Sequence, residues 1–194
     1  MTTGYSMDWK QITGNFFDEA SEKGFPVFLG DGGHSTPLNA SPYIVEFDRF
    51  VDVAKRWSGR GRLVDELRRC RNAAEDIGIC IELILIGGSF TDLRNASPHD
   101  LDSLWLYRAR GTDPVCAEKL KTLQNDSRRN GIDCRFVPFD GEPALLVKAV
   151  SFFTVLYSIN KRQMTLDRGL ILLDSLPLQP SGQCSLWPRQ SQRA

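Results

Sequence analysis

GGSFTDLRNASPHDLD, residues 87–102, leaves one apolar run and ends as another begins. The run before it, CIELILIG (80–87), is nearly continuous and short, the pattern of an interior strand. The run after it, DLDSLWLY (100–107), reads as a second strand. Side chains alternate across a strand, so Asp100 and Asp102 share a face with Leu104 and Leu106. One end of that face is acidic and the rest is core. An unpaired buried carboxylate costs several kcal/mol or more, so something positive is expected beside these two.

Working outward, IDCRFVPF (132–139) is a third strand that also opens on an acid, Asp133, with Cys134 and Phe136 on the opposite face. GLILLDSL (169–176) is a fourth strand. Helical spacing is expected over 9–23, over 44–57 through Ile44, Phe47, Phe50, Val51 and Ala54, and in a further helix carrying Leu63, Val64, Leu67, Cys70, Ala74 and Ile77. A mostly polar helix follows at 113–129, stopped by Asn130-Gly131. EPALLVKAVSFFTVLYSI (142–159) is the most apolar helix, with Pro143 in its first turn, and KRQMTLDR (161–168) is its connection to the fourth strand. Residues 25–42 are rich in Gly, Pro, Ser and Asn and read as loop. Alternating strands and helices predict an α/β or α+β layered domain. The expected organisation is an N-terminal extension over 1–42, a main domain over 43–176, and a disordered tail over 177–194.

The balance of 24 Lys and Arg against 24 Asp and Glu argues against wholesale electrostatic capture of nucleic acid or a membrane surface. No stretch approaches the ~20 apolar residues of a membrane span, and the N-terminus lacks a signal-peptide pattern. The five cysteines are scattered, without a CxxC or a Cys/His cluster, so neither a disulfide framework nor a zinc site is indicated. A reducing cytoplasm is the expected compartment.

If the strands opening at Asp100 and Asp133 lie side by side, three carboxylates converge. Asp140 competes as the third acid, although it precedes Gly141 in a tight turn. Hard oxygen ligands without His or Cys favour Mg²⁺ or Mn²⁺, whose shells are commonly completed by water and substrate phosphates. Gly88 lets the backbone approach a phosphate, Ser89 adds a hydroxyl donor, and Arg94 is placed to meet outer phosphates. From Ser89 to Asp100 ten residues intervene, giving Gly-Ser-x10-Asp-x-Asp, which average composition produces in about one chain in a few hundred. Lys148, Lys161, Arg162 and Arg168 are further candidates to face a triphosphate or a nucleic-acid acceptor. The Gly30-Asp31-Gly32-Gly33-His34 segment lacks the Lys-Ser/Thr of a P-loop and reads as plain loop.

The combination resembles the signature of the DNA polymerase beta-like nucleotidyltransferase superfamily: an apolar strand, Gly-Ser, about ten residues, then Asp-x-Asp opening a strand. Ile84 to Ser89, Asp100 and Asp102 carry the resemblance, and Asp133 matches its third carboxylate by order and context. At closer range Gly88-Ser89-Phe90, Arg94, Pro98, Asp100-Leu101-Asp102 and Arg168-Gly169 look like a small uncharacterised bacterial nucleotidyltransferase-like family. The spacing is also similar to that of minimal nucleotidyltransferase antitoxins, which AMPylate a partner toxin. Ser103 departs from the pattern, standing where an apolar residue is normal.

The resemblance implies a nucleotidyltransferase-type mixed sheet flanked by helices, two divalent ions and an NTP substrate. Asp100, Asp102 and Asp133 would be the metal and catalytic residues, with Gly88, Ser89 and Arg94 on the nucleotide. The implied activity is transfer of an NMP from an NTP to an acceptor hydroxyl on RNA or protein, with pyrophosphate leaving. A toxin–antitoxin or phage-defence partner belongs to the same expectation, and a membrane does not. The alternative is a catalytically silent binding or regulatory module on the same fold.

Overall fold

The computed structural model describes residues 9–30, 34–111, 114–160 and 163–175. Its elements are α1 (Trp9–Glu22), β1 (Tyr43–Glu46), α2 (Phe47–Ala54), α3 (Gly61–Asp76), β2 (Ile79–Gly87), β3 (Leu101–Ala109), α4 (Ala117–Arg129), β4 (Ile132–Pro138), α5 (Pro143–Ser158), β5 (Ile159–Asn160), β6 (Thr165–Leu166) and β7 (Ile171–Asp174). Five strands form one mixed sheet in the order β1-β7-β2-β3-β4. The β1–β7 and β3–β4 pairs are parallel, and β2 is antiparallel to both its neighbours. The fold is therefore mixed α/β, with helices on both faces of the sheet.

The two faces are covered unequally. Ile84, Ile86, Leu101, Trp105, Ile132 and Cys134 join the larger core with residues of α1, α2 and α3. On the other face Leu85, Leu104, Leu106 and Leu170 pack beneath α5 alone, which lays down Leu146, Val150, Phe153 and Tyr157 at helical spacing. Asp102 thus shares the α5 side with Leu104 and Leu106, and Cys134 and Phe136 face the opposite layer, as the strand alternation requires.

Two expectations need correction. Residues 43–46 are strand and only 47–54 are helix, because Tyr43 to Glu46 pair with Ile171 to Asp174 and bury Tyr43 and Val45. The helical set beginning at Ile44 concealed this period-two pair. The link after α5 is not plain connection either, since it contains the β5–β6 hairpin. The tail beyond Ser175 and the central residues of the Gly30–His34 segment lie outside the described residues, as do Lys161 and Arg162. The first helix is integrated with the rest: its Phe17 and Ala20, and Phe25 just after it, are buried in the main core. No described helix is long and apolar enough to cross a membrane. Cys70, Cys80, Cys116 and Cys134 are free thiols.

Ser103 has a local reason. It is fully buried, and its Oγ accepts the indole N–H of Trp105 at 2.8 Å. A buried indole donor without a partner loses its hydration uncompensated. Ser103→Ala should lower stability by about 1–3 kcal/mol, read as a reduced urea midpoint. An unchanged midpoint would mean that the indole N–H is satisfied without the hydroxyl.

Candidate functional site

Strand register places the acids. Gly87 on β2 faces Asp102 on β3, and Asp102 faces Asp133 on the parallel β4. Residues in register on adjacent strands share a face, so the two carboxylates are neighbours at the end of the α5-covered face. Asp100 precedes β3 and is exposed at the mouth of the site. Among the described residues no group of three His, Cys, Asp or Glu side chains is close enough to hold a metal ion. The structure therefore brings Asp102 and Asp133 together and leaves Asp100 at the rim, while Asp140 pairs with Arg108 at 3.6 Å.

Asp133 is held by its own strand. Arg135, two residues on and on the same face, donates from Nη2 to Asp133 Oδ2 at 3.4 Å. Asp133 Oδ1 lies 3.3 Å from that nitrogen, yet it is buried and accepts no hydrogen bond. A buried oxygen in this condition is an unfilled acceptor beside a second carboxylate.

Glycine is required where the loop leaves β2. A Cβ on Gly87 would stand 2.4 Å from Leu170 and 2.6 Å from Tyr157, so the backbone packs against α5 and the residue just before β7. Gly88 has φ +70°, and a Cβ there would stand 2.1 Å from Asp102 Oδ2. The carboxylate thus occupies the space that a side chain would fill.

The loop is anchored from below. Phe90 is buried against Phe50 and Trp57, with ring centroids 6.2 and 6.3 Å away. Arg60, just before α3 and 1% exposed, donates to the carbonyls of Phe90, Asp92 and Ser58, each at 2.8 Å. Thr91 Oγ1 donates to Gly88 O at 3.3 Å. Asp92 then gathers two cations. Arg94 meets it through two side-chain hydrogen bonds of 2.8 and 3.1 Å, and Arg168 Nε stands 3.8 Å from its Oδ2. Hydrogen bonds from Arg94 hold the Asp92 carboxyl below the usual carboxylate range, against the opposing effect of burial. Arg168 Nε is buried and makes no hydrogen bond. Ser89 is half-buried between the glycines and Phe90.

Tyr157 closes the site from the last turn of α5. It is buried against Gly87, and its phenol is pushed above the ordinary tyrosine value, first by burial and then by the charges of Asp102 and Asp133. It is a neutral hydroxyl beside the acids at any physiological pH.

Sequence reasoning missed Tyr157, Arg135, Asp92 and Arg60. Arg135 was within reach, being two residues from Asp133 on the same strand face. Arg60, inside the helix-breaking SGRG segment, gives no local sign of burial.

The chain belongs to a family of unknown function (DUF6932), whose model matches residues 32–174. That span holds the whole sheet and the site but not α1. No curated protein and no solved structure matches the chain.

Gly88→Ala should lose at least ~2 kcal/mol, combining an unfavourable positive φ with the overlap on Asp102. In an Asp102→Ala background the overlap vanishes and the loss should fall by half or more. Equal losses in both backgrounds, measured by denaturant unfolding, would contradict this packing. Asp92 supplies an acid-side test. Its folded pKa is depressed, so its contribution is present above the unfolded value of about 4 and is lost as pH falls through the folded value. Asp92→Asn should therefore be less stable than wild type at neutral pH, with the two unfolding curves converging in acid. A difference that persists at pH 2 would point to packing instead.

Proposed function

We propose that this chain is a metal-dependent nucleotidyltransferase, transferring an NMP from an NTP to an acceptor hydroxyl on RNA or protein. The observation that carries the reading is the register of Gly87, Asp102 and Asp133 across three adjacent strands, with the Gly88 backbone packed on the Asp102 carboxylate. It supports the resemblance to the polymerase beta-like superfamily drawn from the sequence. The working compartment in this reading is the cytoplasm.

The residues fit a divalent ion. The donors are carboxylate oxygens, one of them the buried Oδ1 of Asp133, which accepts no hydrogen bond. Asp102 and Asp133 would hold it, with Asp100 entering from the rim. Bound Mg²⁺ or Mn²⁺ supplies neutralisation of phosphate charge and acidification of the attacking hydroxyl. The chain supplies the rest. Gly88 and Ser89 offer backbone N–H groups and a hydroxyl to the outer phosphates. Arg94 and Arg168, gathered by Asp92, present positive charge at the loop mouth where pyrophosphate would depart. In this reading Asp133 takes the acceptor's proton. Tyr157, kept protonated, adds no charge to the site.

A second reading is favoured by one observation. Asp133 is engaged by Arg135, and no three-acid group is assembled among the described residues. A catalytically silent module that binds nucleotide, or a partner such as a toxin or defence protein, accounts for that arrangement.

Incubation with α-labelled NTPs, Mg²⁺ or Mn²⁺ and cell lysate separates the two. Wild type should transfer label to RNA or protein, and Asp102→Ala, checked for retained fold by circular dichroism, should lower transfer at least 100-fold. Equal labelling by both would remove Asp102 from the chemistry. A metal-dependent thermal shift with NTP and no label would establish the silent module, and neither shift nor label would overturn both readings.

A further inference from the structure

Two thiols meet in the main core at the end of a cavity. Cys70 on α3 and Cys134 on β4 are 5% and 0% exposed. Cys70 Sγ is 2.9 Å from Ser127 Oγ on α4, and it lies within hydrogen-bonding reach of the Cys134 thiol. Alternation along β4 explains the meeting, because Cys134 is turned away from the α5 side into the layer that holds α3. A cavity of about 140 Å³ between α3 and α4 reaches this pair. Its lining runs from Arg69 and Asp126, 63% and 58% exposed, down to Cys70 and Ser127. A water needs about 10–15 Å³ of such space, so a solute of two oxygen atoms has room beside Cys70.

The surroundings make the two thiols unequal. The hydrogen bond with Cys134 lowers the Cys70 pKa; burial opposes this, and Ser127 and Arg69 assist it. The same contact, together with burial, raises Cys134. Cys70 is thus the thiol that ionises, and Cys134 stays protonated beside it. A buried cysteine without access or thiolate-stabilising neighbours is inert. Cys70 has both, and a second thiol at hand as well, which is the setting of a redox-active cysteine.

We infer that Cys70 and Cys134 are a dithiol oxidised by hydrogen peroxide, with Cys70 the thiol that reacts and Cys134 the one that resolves it into a disulfide. In the first step the Cys70 thiolate attacks one oxygen of the peroxide. The O–O bond breaks and hydroxide leaves, so that Cys70 carries a sulfenic acid. Cys134 Sγ then attacks Cys70 Sγ, the S–O bond breaks, and the departing hydroxide takes the Cys134 proton as water. The proton that Cys70 gave up converts the first hydroxide to water. Two thiols and one peroxide thus become one disulfide and two waters, with sulfur oxidised and peroxide oxygen reduced. The new bond would tie α3 to β4, the strand that carries Asp133. The inference stands apart from the proposed chemistry.

Peptide mapping of the full chain tests it. The folded protein is exposed to a small excess of hydrogen peroxide, catalase is added, and the remaining thiols are alkylated in urea before digestion without reductant. Wild type should yield a linked peptide carrying Cys70 and Cys134, lighter by two hydrogens than its parts, which dithiothreitol separates. Cys134→Ala, checked for retained fold by circular dichroism, should lose the link and hold Cys70 as a sulfenic acid that dimedone captures. Cys70→Ala should leave Cys134 fully alkylated. The exposed Cys116 is the internal control. Oxidation of Cys116 while Cys70 and Cys134 remain alkylated would overturn the inference. So would a wild-type Cys70 captured by dimedone and never linked to Cys134, or a link that forms only when peroxide meets the unfolded chain.

Discussion

Two carboxylates opposed on neighbouring strands repel each other, and much of this molecule is arranged around that fact. Asp102 and Asp133 stand in register on neighbouring strands, so two like charges are neighbours on one face of the sheet. Arg135 relieves part of this from Asp133's own strand. Tyr157 lies over the pair as a neutral group, and Gly88 yields the space that the Asp102 carboxylate occupies. A sheet does not retain an opposed acid pair for stability, since apolar residues would pack there at no electrostatic cost. In the proposed function the opposed pair is where a cation would be held.

The loop after β2 is held as firmly as the acids. Phe90 enters the core, and the buried Arg60 takes three backbone carbonyls that a tight turn would otherwise leave short of donors. Above it Asp92 draws Arg94 and Arg168 to one point, although they lie far apart in the chain. Cations accompany acids in both places: Arg135 at Asp133 beneath α5, and Arg94 and Arg168 at Asp92 in the loop.

Much of this was legible in the sequence because it depends on short-range rules. The apolar runs of β2, β3 and β4 are nearly continuous, and alternation alone put Asp102 with Leu104 and Leu106 and turned Cys134 away. What escaped depended on contacts distant in sequence. β1 hid within a helical pattern because its partner, β7, lies more than a hundred residues away. Arg60 read as part of a helix break, and only the fold shows it carrying the loop. Tyr157 read as core, which it is, but its position over Gly87 decides what else it touches. Ser103 looked like a flaw in the strand and is the hydrogen-bond partner of Trp105.

The central claim, that Asp102 and Asp133 form a cation site completed by nucleotide, is open to direct measurement. Mn²⁺ can be titrated into the protein with a non-hydrolysable ATP analogue, following the free ion by electron paramagnetic resonance. The account predicts saturable loss of the free signal in wild type, weakened at least tenfold in Asp102→Asn and in Asp133→Asn. Titrations that coincide for wild type and both variants would contradict it.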